Sequence, residues 1–315
     1  MEHIGDAYDW HLWGHTAIPL PVIIYSDKGL DVFLSSKFEH GHASYQGNYN
    51  YKLIHGHVKV VNNAGEEDAE ATAKLWDISI TKNVLAIFVT IGLMIWMFIS
   101  AANMYKRNPG QAPKGIQSLL EPLIVFVRDE VAKSAIGEKK YERFLPFLLT
   151  VFFFIWISNL LGLIPLVGGA NVTGNIAVAL VLAAMVFLIT IINGNAHYWK
   201  HTLAMPGVPV GVLFILTPIE IISLFLKPFV LMIRLFANIM AGHIIALSFF
   251  SLIFIFAEMN VALGFGVSLL SIAFTVFMGF LELLVAFLQA YVFTLLTAMY
   301  FGSAVEEGHH AEEHH

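Results

Sequence analysis

The sequence contains no cysteine, which excludes disulfide staples, thiolate metal sites and cysteine nucleophiles. Charge is scarce as well: Asp, Glu, Lys and Arg make up 13% of 315 residues, against 57% hydrophobic residues and a mean hydropathy of +0.72. No phosphate-binding glycine loop of the Walker type occurs, so nucleotide chemistry is not expected on this chain. The start, MEHIGDAYDWHLWGH, has neither the basic n-region nor the apolar h-region of a secretory leader. Export of the 82 residues ahead of the first apolar span then calls for an insertase or for a cleaved segment preceding residue 1.

What is present is apolar surface well beyond the need of one soluble core of this length. Stretches long enough for a bilayer helix, about 20 residues, lie near Val84 to Met104, Phe144 to Leu166 and Ile176 to Ile192. A fourth region, 211–256, is too long for one perpendicular span and is interrupted by Pro218 and Pro228; a fifth runs from Val261 to Phe301. The expected fold is an all-α polytopic membrane protein with about five membrane-crossing helices, including a long tilted C-terminal helix hairpin. A small extra-membrane extension with some β content is expected at the N-terminus.

Charge segregates along the chain. Residues 1–82 carry 11 acidic and 6 basic side chains and seven of the 14 histidines, with turn clusters such as Ser26-Asp27-Lys28-Gly29 and an approach to period-2 alternation from Lys52 to Val61. Residues 83–305 form the membrane domain, and 306–315 an acidic, His-rich tail. Eight of the 17 basic residues, Lys106 to Arg143, lie between the first and second spans, so the positive-inside rule places that loop in the cytoplasm. Five crossings then leave the N-terminus outside and the tail inside. Within the loop, Ile116 to Ile136 has Leu119, Leu120, Leu123, Val127 and Val131 at helical spacing, which predicts an amphipathic helix on the membrane surface.

Past residue 143 the one arginine is Arg234, inside the apolar run PFVLMIRLFANIMAGHIIALSFF. A guanidinium at bilayer depth costs from about 2.5 to more than 10 kcal/mol, so it is retained where function or a partner requires it. Glu220, His243 and Glu282 share the same otherwise apolar segment, and together the four suggest an ion path. On an ideal helix Glu220 and Arg234 lie within about 40° of one face and roughly 21 Å apart, whereas His243 turns to about the opposite face. Glu282 and Gln289, seven apart, share a face; the second helix can offer Glu282 to His243 and Gln289 towards Arg234.

The stretch IRLFANIMAGH with Pro228 before it, LQAYVFTLLTAMY at 288–300, NLLGLIP at 159–165 and TGNIAVAL at 173–180 resemble subunit a of the F-type ATP synthase over roughly residues 77–305. The resemblance implies a proton-conducting stator beside a rotating c-ring, held by peripheral-stalk b subunits and coupled to a soluble ATPase head. It implies a location in the bacterial inner membrane, no cofactor and no nucleic acid. Arg234 would occupy the position of the essential arginine, and Glu220, Asn238, His243, Glu282 and Gln289 the proton path. The chain departs from many members at Ala237, where they have Gly, and at His243 and Glu282, where acid and imidazole are exchanged between helices. Small residues Ala237, Ala241 and Gly242 would let another helix approach closely.

Those residue types suit the task. A rotor carboxylate crosses lipid only when neutral, while a guanidinium alongside favours its charged form, and arginine stays protonated throughout. His243 beside Glu282 favours H⁺ over Na⁺ as the coupling ion. Structural readings stand beside these: Arg234 as counter-ion to Glu282, His243 as a hydrogen-bonded buried histidine, Glu220 snorkelling to the interface, Gln289 as a helix-helix hydrogen bond. Glu258 reads as solvated, His197 and His201 as loop residues, and the pairs His40/His42 and His55/His57 as a solvated surface or a metal site on one strand face. A secondary ion transporter or channel is the alternative function, but no second arginine-containing repeat occurs.

Overall fold

The computed structural model describes residues 6–13, 16–62, 64–107, 109–164, 172–203, 208–259 and 261–306. The expected acidic tail beyond Glu306 lies outside the described residues, and so do the side chains of Asn238 and His243.

The N-terminal region holds more strand than its sequence pattern suggests. β1 (Asp9–Trp13) and β2 (Thr16–Pro19) form a hairpin. β3 (Pro21–Ser26) pairs with β4 (Gly29–Leu34), and after a short 3-10 turn, Ser35–Gly41, β5 (Ser44–Gln46), β6 (Asn50–Ile54) and β7 (His57–Val60) make a second antiparallel sheet. A single helical turn, α1 (Ala69–Thr72), is capped by Asp68, whose carboxylate accepts from the Ala71 amide, and β8 (Trp76–Asp77) then joins the free edge of β3. The alternation expected from Lys52 to Val61 breaks at His55-Gly56, with φ of 51° and 77°. Two left-handed residues are what a tight primed hairpin turn requires. His55 therefore sits in the turn and His57 on β7, so the pair does not share one strand face. Among the described residues no group of three or more His, Cys, Asp or Glu could hold a metal.

The core of this region lies between the two sheets. Val22, Ile24 and Phe33 meet Phe38, Tyr51, Val58 and Val60, with the Phe33 ring stacked 4.0 Å from Tyr45. The Tyr51 hydroxyl donates to Asp31 at 2.7 Å and the Tyr8 hydroxyl donates to Asp77. Burial first, and then the adjacent carboxylate, push both phenols well above their ordinary range.

Behind β8 the chain runs directly into α2 (Lys82–Arg107), and the junction is pinned. The Ile78 and Ile80 amides donate to the Ile23 and Pro21 carbonyls, the Lys82 amide to Ala7, and Asp6 accepts from the Asn83 amide and the Thr81 hydroxyl.

The helices that follow are α3 (Ile116–Phe126), continued through a π-helical stretch, Val127–Lys133, into the short α4 (Ser134–Ile136); α5 (Tyr141–Leu163); α6 (Ile176–Asn193); α7 (Ala196–Leu203); α8 (Val210–Met259); and α9 (Val261–Val305). Among the described residues five helices, α2, α5, α6, α8 and α9, contain segments long and apolar enough to cross a membrane. The 116–136 stretch is helical as expected; it turns Leu120, Val127 and Val131 inward and packs on α9, with the Phe126 ring close to Phe287 and Tyr291, while Leu119 stays exposed. Two expectations need correction. His197 and His201 lie on α7, started by the Asn195 side chain accepting from the Tyr198 amide, and not in a loop. Pro218 and Pro228 do not interrupt α8, which is helical through both; membrane helices tolerate proline where neighbours make good the lost backbone bonds. At 1.5 Å per residue its 50 residues span about 75 Å, against a hydrocarbon core of about 30 Å.

Packing of α9 divides at its middle. Its C-terminal half buries Gln289, Phe293, Thr297 and Phe301, the last 4.9 Å from the Phe144 ring of α5. Gly302 meets α4 so closely that a Cβ there would stand 2.0 Å from the Ala135 carbonyl oxygen. The terminal carbonyls of α9 are gripped from two loops. Asn195 donates from its amide to Ala304 at 2.9 Å and from its side chain to Glu306 at 2.6 Å, and Lys140 Nζ donates to Val305 at 2.8 Å.

Candidate functional site

Along α8, Glu220, Lys227 and Arg234 recur every seven residues. Seven residues turn a helix by 700°, a drift of about 20° per step, and advance about 10.5 Å, so the three form one charged stripe on an apolar helix. Lys227 is the member that the sequence reading passed over. Its ammonium lies 5.7 Å from the centre of the Tyr300 ring, within cation-π distance. Together Val186, Phe187 and Thr190 of α6, Tyr198 of α7, Leu224, Lys227 and Pro228 of α8, and Tyr300 and Ser303 of α9 line a cleft of about 280 Å³, counted out into open space.

Glu220 lies at one end of this arrangement, half-buried. Its charge acts on the Tyr198 phenol, which burial above all, and Glu220 after it, push above the usual range. The start of α8 is tied to α7 by the Thr217 hydroxyl, which donates to the Leu203 carbonyl at 2.9 Å. At the other end Arg234 lies within the electrostatic reach of Tyr300.

Arg234 is exposed, with Phe229, Val230, Ile233 and Ala237 exposed around it, while Leu231, Met232 and Leu235 are buried behind. The N-terminal half of α9 is bare as well: Phe277, Phe280, Leu281, Leu284 and Leu288 are all exposed. In the most apolar stretches of α8 and α9 only 6% and 11% of residues are buried, against 28% to 50% in the other three spans. A charged group on an uncovered apolar surface is the pattern of a face built for a partner.

Glu282 is half-buried, and its Oε1 is buried without a hydrogen-bond partner among the described residues. Gln289 is buried at 3% exposure. Lys227 against Tyr300 gives an approximate antiparallel level for the two helices. Counting from there at 1.5 Å per residue, Arg234 stands at the level of Phe293, Asn238 at Gln289, and His243 at Leu284, two positions from Glu282. By that count Gln289 lies about one helical turn from the level of Arg234, and Tyr300 is an α9 residue within electrostatic reach of the arginine.

The membrane region, residues 84–302, matches the family described as ATP synthase A chain; residues 1–78 match a family described as a domain of unknown function. ATP synthase subunit a of Chloroherpeton thalassium is 44% identical over 244 residues, 76% of this chain and 71% of that protein. ATP synthase subunit a 2 of Prosthecochloris aestuarii is 44% identical over 245 residues, with 76% and 73% covered. The chain is also 40% identical to ATP synthase subunit a of Myxococcus xanthus over 260 residues, 79% of this chain and 80% of that one.

Proposed function

The chain belongs to the ATP synthase A chain family, and from that premise we propose that it is the proton-conducting stator of an F-type ATP synthase, with the bare surface of α8 and α9 turned to a ring of rotor carboxylates. The observation that carries the reading is the exposed Arg234 on that surface. A carboxylic acid arriving from lipid is neutral because desolvation disfavours its charge; beside a guanidinium the charged form is favoured, so the proton leaves. The same fixed positive charge repels a proton moving directly between two half-channels. On one side His243 and Glu282 would hand protons inward, and the unsatisfied Glu282 Oε1 is available to accept one. On the other, the cleft between α6, α7, α8 and α9, with Glu220 and Tyr198 at its end, would be the exit, and Lys227 within it would keep cations other than a transferred proton from dwelling there. Each charge that crosses delivers about 2.3 kcal/mol per 100 mV.

The partners in this reading are the rotor ring, peripheral-stalk b subunits and, through them, the soluble ATPase head. The chain needs no cofactor of its own. The basic loop between α2 and α5 would face the cytoplasm of a bacterial inner membrane and the N-terminal region the outside. Purification from the native membrane followed by reconstitution tests the reading. The chain should arrive with a ring of small hairpin proteins, and ATP should drive acidification of the vesicles with or without Na⁺. Isolation of the chain alone, with ion transport independent of ATP, would refute it.

A further inference from the structure

The sheet of β4, β3 and β8 has two unlike faces. One packs into the core through Val22, Ile24 and Phe33. On the other, cross-strand register sets Pro21 opposite Leu34, Ile23 opposite Val32 and Tyr25 opposite Leu30, with Trp76 beside Tyr25 on the far edge. The amide bonds from Ile78 to Ile23 and from Ile80 to Pro21 carry the pairing on past β8, so Ile78 and Ile80 complete the third column. The result is a lattice of nine apolar side chains, three by three, without one charge. It measures about 10 Å across the strands and 13 Å along them between backbone positions. Six of the nine, Tyr25, Leu30, Val32, Leu34, Trp76 and Ile78, are between 49% and 72% exposed.

Antiparallel sheets normally present a polar face to water when the other is packed, and contiguous apolar patches of this kind mark a surface with an occupant. The chain itself indicates which one. Ile80, the last residue of the lattice, is two positions from the first residue of α2, an apolar helix whose Phe88, Val89, Ile91, Ile95 and Trp96 are exposed. The sheet cannot swing away from the point where α2 enters the bilayer, because Asp6, Ala7, Pro21 and Ile23 hold residues 78–83 by the bonds described above. The exposed positions include Trp76 and Tyr25, the two residue types that concentrate at the membrane-water boundary.

We propose that this nine-residue face docks on the lipid headgroup-acyl boundary of the membrane that α2 enters, so that the N-terminal region lies on the bilayer surface. The test uses the cysteine-free background and the full chain assembled with its partners in phospholipid nanodiscs. Single cysteines at Leu30, Val32 and, on the exposed tip of the second sheet, Gln46 carry a nitroxide, and collision with oxygen, which partitions into lipid, is compared with collision with a water-soluble nickel chelate. Leu30 and Val32 should show an oxygen-to-nickel ratio several-fold above that of Gln46. Adding Val32→Asp to the Leu30 label should bring its ratio down to the Gln46 value while ATP-driven pumping persists. High nickel access at Leu30 and Val32 would overturn the proposal by putting the face in water. Shielding from both reagents would overturn it by putting a protein there instead.

Discussion

Arg234 is exposed on α8, so its replacement should leave internal packing alone. Arg234→Ala is expected to abolish ATP synthesis in membrane vesicles without loss of assembled complex, and to allow passive proton leak. Arg234→Lys should fail too, since a compact ammonium lacks the planar fork that engages a carboxylate from two directions. Coupled synthesis at the wild-type rate in the alanine variant would remove Arg234 from the mechanism. Arg234 was legible in the sequence because arginine in an apolar run has no inexpensive explanation. Lys227 was less legible, although its seven-residue spacing from Glu220 and Arg234 is written in the chain. A lysine's long stem lets it snorkel, so its presence in an apolar helix signals less until Tyr300 is seen beside it.

His243 and Glu282 invite a double-mutant cycle. Counted from the Lys227–Tyr300 contact, they stand within about two residues of one level, or about 3 Å along the axis. Residues in one relay should couple, whereas independent ones should add. His243→Glu alone should lose much of the proton flux, by leaving two acids with no imidazole. The exchange His243→Glu with Glu282→His should recover part of it. Proton flux in the four members of the cycle decides the matter, and additive losses without rescue would separate the two residues.

At the scale of elements, Gly302 of α9 and Ala135 of α4 approach each other closely. A methyl group there meets a backbone carbonyl that no rotamer change can move aside. Gly302→Ala should therefore destabilise the docking of the α3–α4 segment by about 1–3 kcal/mol, the usual cost of overpacking. Faster proteolysis between residues 116 and 140 would register it, and unchanged protection would mean that the segments can part without cost. Nothing in the sequence marked this contact, because a glycine near a helix end is ordinary and its partner is over 160 residues away. The β-rich region was only partly legible for a related reason: its strands are short, and the turn at His55-Gly56 breaks the alternation that would have announced them.

The same region should have an alkaline weakness. Tyr8 and Tyr51 keep their protons in the folded state to a higher pH than the ordinary value of 10.0, whereas in the unfolded chain they ionise at that value. The unfolded state then binds fewer protons, and stability falls as pH rises. The contribution is complete below about pH 10 and is lost progressively above it. Thermal unfolding of the strand signal followed from pH 8 to 12 should show a falling midpoint above 10 that is absent in Tyr8→Phe combined with Tyr51→Phe. An equal fall in both proteins would assign the effect elsewhere.

For the whole molecule, α2 is, among the described residues, the one apolar span between Ser44 and Glu138, so the two residues should face opposite sides of the membrane. Single cysteines there, in a chain that has none of its own, should react with an impermeant thiol reagent from opposite sides, Ser44 from outside. Glu138 is preferred to its neighbour Gly137, whose φ of 93° a cysteine would strain. Labelling of both from one side would refute the topology. The expectation for this orientation rests on the basic loop between the first two spans. The long C-terminal hairpin was legible too, but the continuity of α8 through Pro218 and Pro228 was not, since prolines read as breaks until neighbouring helices are there to absorb them.

In the proposed stator, against which a ring would turn, the grip on the end of α9 acquires a mechanical meaning. A helix terminus ordinarily leaves its last carbonyls to water, and such an end is a loose hinge. Here three successive carbonyls, Ala304, Val305 and Glu306, are held by Asn195 and Lys140 from loops on separate stretches of the chain. The helix behaves as a beam clamped at one end and free along its bare half. A sideways push on that free half is then met by elastic bending that springs back, and the clamp passes the recoil into the surrounding helices instead of letting α9 be dragged along.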